Sequence, residues 1–383
     1  MALQFKVNTP TVSDLTLHLQ MSGLPPTEDT ELRQTFFPAE WFPQCAVQLT
    51  WPHAGTDWHD YLQEVDDCYV RIALEILIRG EKMIIVTPEP ERVKMLMHQR
   101  LPSRLLASII YFECNTNDTW ARDHSFLTLM TEHGPKLLDF RFNGWGQKFA
   151  SNHDNMICRR MMARVGEETE PLLKGDYEAH LDFTFEGGSI ESDGHGTLLT
   201  TTECLMAPNR NEPLLQQEIE ECMLKWFHAE RVLWLDYGYL AGDDTDSHVD
   251  TLARFCSSDT IAYVSCDNPD DEHYESLKAM ERQLQSFRTT KDQPYNLVPL
   301  PLPAPMLDPD DGHRLPATYA NFLIINRAVL MPTYGQPDID ALAERQLSKA
   351  FPRHDIVPID CSILIRQHGS LHCSTMQYPI GVL

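Results

Sequence analysis

The sequence predicts an α/β fold. Amphipathic helical patterns alternate with short apolar strands along the whole 383-residue chain. The composition, 42% hydrophobic and 23% charged, is that of a globular protein with a substantial core. A third observation bears on arrangement. Five segments place polar or small residues just before an apolar strand: WARDHSFLTLM from Trp120, FEGGSIESDGHGTLLTT from Phe185, HVDTLARFCSSDTIAYVSC from His248, YANFLIINRAVLMPTYG from Tyr319 and HGSLHCSTMQYP from His368. They recur roughly 50 to 75 residues apart. Two readings stand: ordinary strand alternation, or a repeated unit that brings polar residues to a common centre before entering the core.

The elements follow in order. DCYVRIALEILIRG (67–80) has the spacing of an amphipathic helix stopped by Gly80, and KMIIVTP follows as a strand. Asp193-Gly194 supplies the turn of a hairpin. LQQEIEECMLKWFH (215–228) predicts a helix followed by the strand RVLWL. DIDALAERQLSKAF predicts a helix from near Asp338 to just before Pro352, with DIVPID as the next strand. Seven prolines between Pro294 and Pro316 argue against a helix or a central strand there. A linker is one reading; the Leu, Val and Met among the prolines favour a semi-rigid loop lying over a site.

Several classes lose support. No apolar run approaches the ~20 residues of a membrane span, and the N-terminus lacks the basic and apolar regions of a secretory signal, so a cytoplasmic protein is expected. The 10 cysteines form no CxxC pair, which argues against a zinc ribbon or thioredoxin-like motif; reduced, buried thiols are expected. A formal charge of −25 repels nucleic acid and anionic membranes and attracts small cations, although solubility alone also favours an acidic surface.

Three acidic clusters border apolar strands: Asp118, Trp120, Arg122 and Asp123; Glu186 ahead of Gly187-Gly188; and Asp243, Asp244, Asp246, His248 and Asp250. Acids there are costly to bury without a partner. In an extended stretch His248 and Asp250 would share one face. Asp243 and Asp246 read equally well as turn residues. The glycines after Glu186 allow a close backbone approach or a tight turn. A metal is conceivable on these ligands, but the spacing matches neither HExxH nor an EF-hand, so a metal-free site is expected.

The segments PAEWFPQCAVQLTWPH, NDTWARD, DFRFNGWGQKF, EGGSIESDGHGTLLTTTECLMAPNRN, GDDTDSHVDTLARF, YANFLIINRAVLMPTYG and HGSLHCSTMQYP occur in order from about Pro38 to the C-terminus. Together they resemble the agmatine deiminases, related to the Porphyromonas-type peptidylarginine deiminases. The resemblance implies a pentein fold, a five-bladed α/β propeller with its site on the axis. It implies a single catalytic domain over residues 1–383, with 1–35 the N-terminal extension and first blade. It also implies deimination of agmatine to N-carbamoylputrescine and ammonia, a step of putrescine formation. Cys373 matches the nucleophile, His248 the general acid and base, Glu186 their acidic partner, and Asp123 and Asp250 the acids that bind the guanidinium. Trp120 would cover the aliphatic chain; Asp243 and Asp244 are both offered to the distal amine, with Asp244 favoured by its place in the family motif. No metal or organic cofactor is implied. The expected partner is a small cationic guanidino substrate, with no nucleic acid or membrane; a homo-oligomer is left open.

An arginine substrate would need a carboxylate clamp, for which Arg122 and Arg254 are the candidates, though by resemblance both look structural. Free arginine, peptidyl-arginine and a non-catalytic guanidino-binding relative stay as alternatives. Departures from the family pattern are His368-Gly369-Ser370 in place of a glycine-rich run, Ser247 and Arg327 where glycine is usual, and Glu212. In an extended strand His372 would face away from Cys373, leaving His248 as the thiol's partner.

Overall fold

The computed structural model describes residues 34–163 and 172–383; most of the expected N-terminal extension lies outside them. The described strands form five separate sheets. Three have one plan. β8 (Glu191–Ser192) and β9 (Thr197–Thr201) form a hairpin, and a helix at Gln216–Trp226 leads to β10 (Arg231–Leu235), parallel to β9. β11 (Ala253–Ser257) and β12 (Thr260–Ser265) form a hairpin, and the helix Tyr274–Ser286 leads to β13 (Asn296–Pro301), parallel to β12. β14 (Leu323–Ile325) and β15 (Ala328–Thr333) do the same through Pro337–Ala350 to β16 (Asp355–Asp360).

The other two sheets extend the plan. β5 (Leu127–Thr131) and β6 (Gly134–Arg141) form a hairpin with β7 (Asp176–Thr184) parallel to β6, and β1 (Thr35–Phe36) adds to the β5 edge. The last unit joins the two ends of the chain. β17 (Thr375–Pro379) pairs antiparallel with β2 (Gln44–Thr50). The helix Leu62–Ile78 then crosses to β3 (Lys82–Thr87), parallel to β2, and β4 (Ile109–Glu113) adds beside it. The repeated-unit reading of the five segments is therefore the better one: each opens on the turn ahead of one unit and runs into its hairpin, or in the last case into the closing strand.

Local sequence explains the units. β12 and β15 are nearly continuous apolar runs because each is central in its sheet. The helix Tyr274–Ser286 buries Leu277, Met280 and Leu284, a stripe at helical spacing that covers β12. The predicted helices at 215–228 and 338–351 occur at Gln216–Trp226 and Pro337–Ala350, the latter with Pro337 in its first turn, where a missing N–H is harmless.

The proline-rich segment needs correction. Its first part is β13, with Pro299 and Pro301 opposite Tyr263 and Ser265. β13 hydrogen-bonds only to β12, so prolines cost it nothing on its free edge. Only from Leu302 does the segment become a loop. Asp310 there accepts from Arg366 and Tyr61, and His313 stacks on His368. Among the described residues no helix is long and apolar enough to cross a membrane.

Candidate active site

The turn that opens each unit carries one part of a single buried centre. Asp123 lies in the short turn Ala121–His124 before β5. Glu186 precedes the turn Gly187–Ser189 before β8. His248 and Asp250 flank Val249 before β11. Asn321 precedes β14, and Cys373 lies in a turn before β17. His248 Nε2 is 3.1 Å from Glu186 Oε2, and its Nδ1 is 3.8 Å from Asp123 Oδ1. Cys373 Sγ is 3.7 Å from Asp250 Oδ2 and accepts from Asn321 Nδ2 at 3.2 Å. All five sequence-expected groups (Cys373, His248, Glu186, Asp123 and Asp250) are thus buried together.

Gly188 makes this convergence sterically feasible. Its N–H donates to Asp123 Oδ1 at 2.8 Å. A Cβ on it would stand 2.6 Å from His248 Nδ1 and about as close to Asp123 and Asp250 (3.0 and 3.1 Å). A Cβ on Gly187 would meet the Arg122 carbonyl oxygen at 2.2 Å. Close approach, not a left-handed backbone, is why glycines follow Glu186.

Charges in the centre are strongly coupled. Burial raises the Cys373 thiol well above its ordinary value, and the charges of Asp250 and Asp123 raise it further, so these surroundings favour the thiol over the thiolate. Burial opposes a charge on His248, but Asp123, the Cys204 sulfur and Glu186 outweigh it and hold the imidazole well above its ordinary value. Burial lifts Asp123 to about 6 against the pull of His248. Asp250 and Glu186 resist the same burial: His372 lowers Asp250, and Arg210 with His248 lowers Glu186.

Several supporting residues were not singled out from sequence. Arg210 donates to both oxygens of Glu186 and to Asp246 Oδ2 at 2.6 Å, fixing the acid that meets His248. Trp145 Nε1 donates to Asp123 Oδ2 at 2.9 Å. Asn321 Oδ1 accepts from the His372 and Cys373 amides. Each lies in a segment quoted for the family resemblance, but its partner is far away in the chain.

Three sequence expectations about geometry are corrected. Residues 371–374 form a turn, with β17 starting at Thr375, so strand alternation does not apply to His372 and Cys373. His372 faces the centre from behind: Nδ1 is 2.7 Å from Asp250 Oδ2, the oxygen that also meets the thiol, and Nε2 is 2.7 Å from Glu40 Oε2. His248 and Asp250 likewise share the site through a 3-10 turn, not through an extended stretch. Asp246 is more than a turn residue, since it pairs with Arg210 and Lys148.

The remaining predicted residues lie toward one side. Trp120 is buried, and its ring lies on Gly369, where a Cβ would come within 2.4 Å of it. Next along, His368 Nε2 faces Asp244 Oδ2 at 3.6 Å. Arg254 and Arg122 sit behind the centre. Arg254 is fully buried and bonds Glu191, Glu40 and the Phe322 carbonyl; Arg122 lies 3.8 Å from Glu40. Asp244 is not among the partners of either. Two buried ligand-type clusters, Glu186–Cys204–His248 and Glu40–Glu191–His372, each carry an arginine on their acids, Arg210 and Arg254. That fixed positive charge opposes a metal cation at either cluster. His368, Ser247 and Arg327, the departures from glycine, all keep a left-handed backbone, with φ of 67°, 65° and 69°.

Residues 36–379 match the family model of the Porphyromonas-type peptidyl-arginine deiminases. The chain is 30% identical to an agmatine deiminase of Stutzerimonas stutzeri over 364 residues, covering 90% of this chain and 95% of that one. Among solved structures, it resembles a "putative arginine deiminase" of Porphyromonas gingivalis, with a TM-score of 0.84, 49% identity and coverage of 91% and 99%. A substrate-bound agmatine deiminase of C. jejuni gives a TM-score of 0.80 and 34% identity, covering 90% and 96%.

Proposed function

The chain belongs to the Porphyromonas-type peptidyl-arginine deiminase family, and from that premise we propose that it hydrolyses agmatine to N-carbamoylputrescine and ammonia through a covalent intermediate on Cys373. It is a hydrolase of C–N bonds in guanidino groups. We read its five units as blades of a pentein propeller around the site. The observation that carries the proposal is the buried convergence of one thiol, one imidazole and three carboxylates. A planar cation suits this set: Asp123 and Asp250 can take its N–H edges while its carbon faces the sulfur.

The chemistry follows from the resting charges. A guanidinium beside Sγ favours the thiolate that burial and acids otherwise suppress, so substrate binding releases the thiol proton. The thiolate adds to the guanidinium carbon, giving a neutral tetrahedral adduct. Imidazolium His248, held by Glu186, protonates an amino nitrogen; ammonia leaves and a thiouronium cation remains. Water adds to that carbon as His248 takes its proton. Collapse expels the thiolate and gives a protonated ureido product, whose proton goes to solvent and, in balance, to ammonia as ammonium. Asp123, Asp250 and Glu186 stabilise the cationic stages.

For the tail, Trp120 would cover the methylenes and Asp244 would meet the distal amine. The positions of Arg122 and Arg254, spent on buried acids, count against a carboxylate clamp. The test is ammonia release from agmatine, arginine and an arginine peptide. Release from agmatine alone, abolished in Cys373→Ala, is expected; turnover that survives that substitution would sink the covalent route.

A further inference from the structure

The tail side carries a histidine that the reaction does not use. His368 has φ 67°, a backbone that L residues adopt at a cost. Three contacts hold it. Nδ1 lies 2.7 Å from the Gly242 carbonyl oxygen, the ring stacks on His313 with centroids 5.4 Å apart, and Nε2 faces Asp244 Oδ2 at 3.6 Å. A carbonyl only accepts, so Nδ1 must carry a hydrogen here. A neutral imidazole has one N–H; with it on Nδ1, Nε2 turns a lone pair toward a carboxylate. Only the imidazolium closes the ion pair with Asp244.

The surrounding charges leave that choice to His368. Asp244 faces His368, Asp243, Lys148 and His313, and Asp311 holds His313 and acts on His368. Lys148 donates to the Asp244 carbonyl and to the Asp246 carboxylate, not to the Asp244 carboxylate. Arg366 turns to Tyr61 and Asp310.

We propose that His368 is a specificity-determining residue: its imidazolium competes with the distal ammonium of the substrate for Asp244. This rests on the reading that Asp244 holds the tail amine. In its imidazolium form the ring occupies Asp244. In its neutral form the carboxylate is freed, while the primary amine of the substrate keeps its charge. A guanidine with the same four-carbon chain and no distal amine gains nothing from this change. Titration of His248 affects both compounds alike and cancels in their ratio.

The experiment measures kcat and KM for agmatine and for butylguanidine from about pH 5.5 to 9, in the wild type, His368→Gly, His368→Asn and Asp244→Asn. Gly and Asn both tolerate the left-handed backbone, so the two His368 variants should fold. In the wild type, agmatine KM should fall roughly three- to tenfold more than butylguanidine KM as pH rises. Both His368 variants should flatten that difference and leave kcat for butylguanidine unchanged. Equal pH slopes for the two compounds, or a slope that persists in both His368 variants, overturns the inference. If Asp244→Asn leaves agmatine KM unchanged, the tail reading fails and takes this inference with it. If it raises agmatine KM while the His368 variants keep the slope, only this inference fails.

Discussion

Gly188 is the residue at which the centre tolerates least. Its missing Cβ leaves room for His248, Asp123 and Asp250 at once. Its φ lies outside the left-handed region, so Gly188→Ala adds no backbone strain and should fold, with a melting temperature lowered only by an overpacking cost of about 1–3 kcal/mol. The methyl must then push His248 aside, and misplacement of that order costs about 100-fold in kcat. Wild-type kcat in this variant would show that His248 does not need its present position. The pair of glycines was plain in the sequence, but what they make room for was not, because His248 lies 60 residues further along and reaches Gly188 only in the fold. Arg210 was hidden for the same reason: its acids, Glu186 and Asp246, flank it at a distance on both sides.

At the scale of elements, the joints between units carry polar groups whose titration is readable. Glu81, at the start of β3, is 1% exposed; its Oε1 accepts from Asn326 N at 2.5 Å, in the turn between β14 and β15, and its Oε2 has no partner among the described residues. Burial raises its carboxyl from 4.5 to about 8. The folded chain therefore holds a proton that the unfolded chain loses, and this group's contribution to stability falls as pH rises from about 4.5 to about 8. Glu81→Gln keeps the acceptor and removes the titration. The melting temperature of the variant relative to the wild type should rise between pH 5 and pH 8 and level off above. A difference that does not change with pH would mean that Glu81 is not the proton-holding group. Periodicity placed the strand beside this joint correctly. The prolines of 294–316 excluded a helix or a central strand correctly, but the loop reading missed β13, because its edge position, which makes the prolines harmless, is a property of the sheet and not of the segment.

For the whole molecule, the decisive feature is closure of the last unit by the two ends of the chain. β17 pairs with β2, buries Met376 and Tyr378, and places the Tyr378 hydroxyl on Gln48 at 2.7 Å. Each such side chain contributes about 1.5–3 kcal/mol on burial, against a total stability of about 5–15 kcal/mol. A chain ending at Ser374 keeps every proposed catalytic residue and should nonetheless lose its cooperative thermal transition by circular dichroism. A sharp transition near that of the full chain would show that closure is dispensable.

By itself, the sequence determined the helices and strands that carry a clear periodicity, since that signal is local, and it determined which chemical groups are present: one thiol in an HC pair, an HxD pair, and an acid before two glycines. The order of the motifs also carried the family. Only the tertiary structure decided which groups face each other. It turned His372 toward Asp250, placed Arg210 on Glu186, and set His368 against Asp244. The reason is physical: those contacts join residues tens to hundreds of positions apart, through turns whose angles are set by the packing of five units and not by the residues within them.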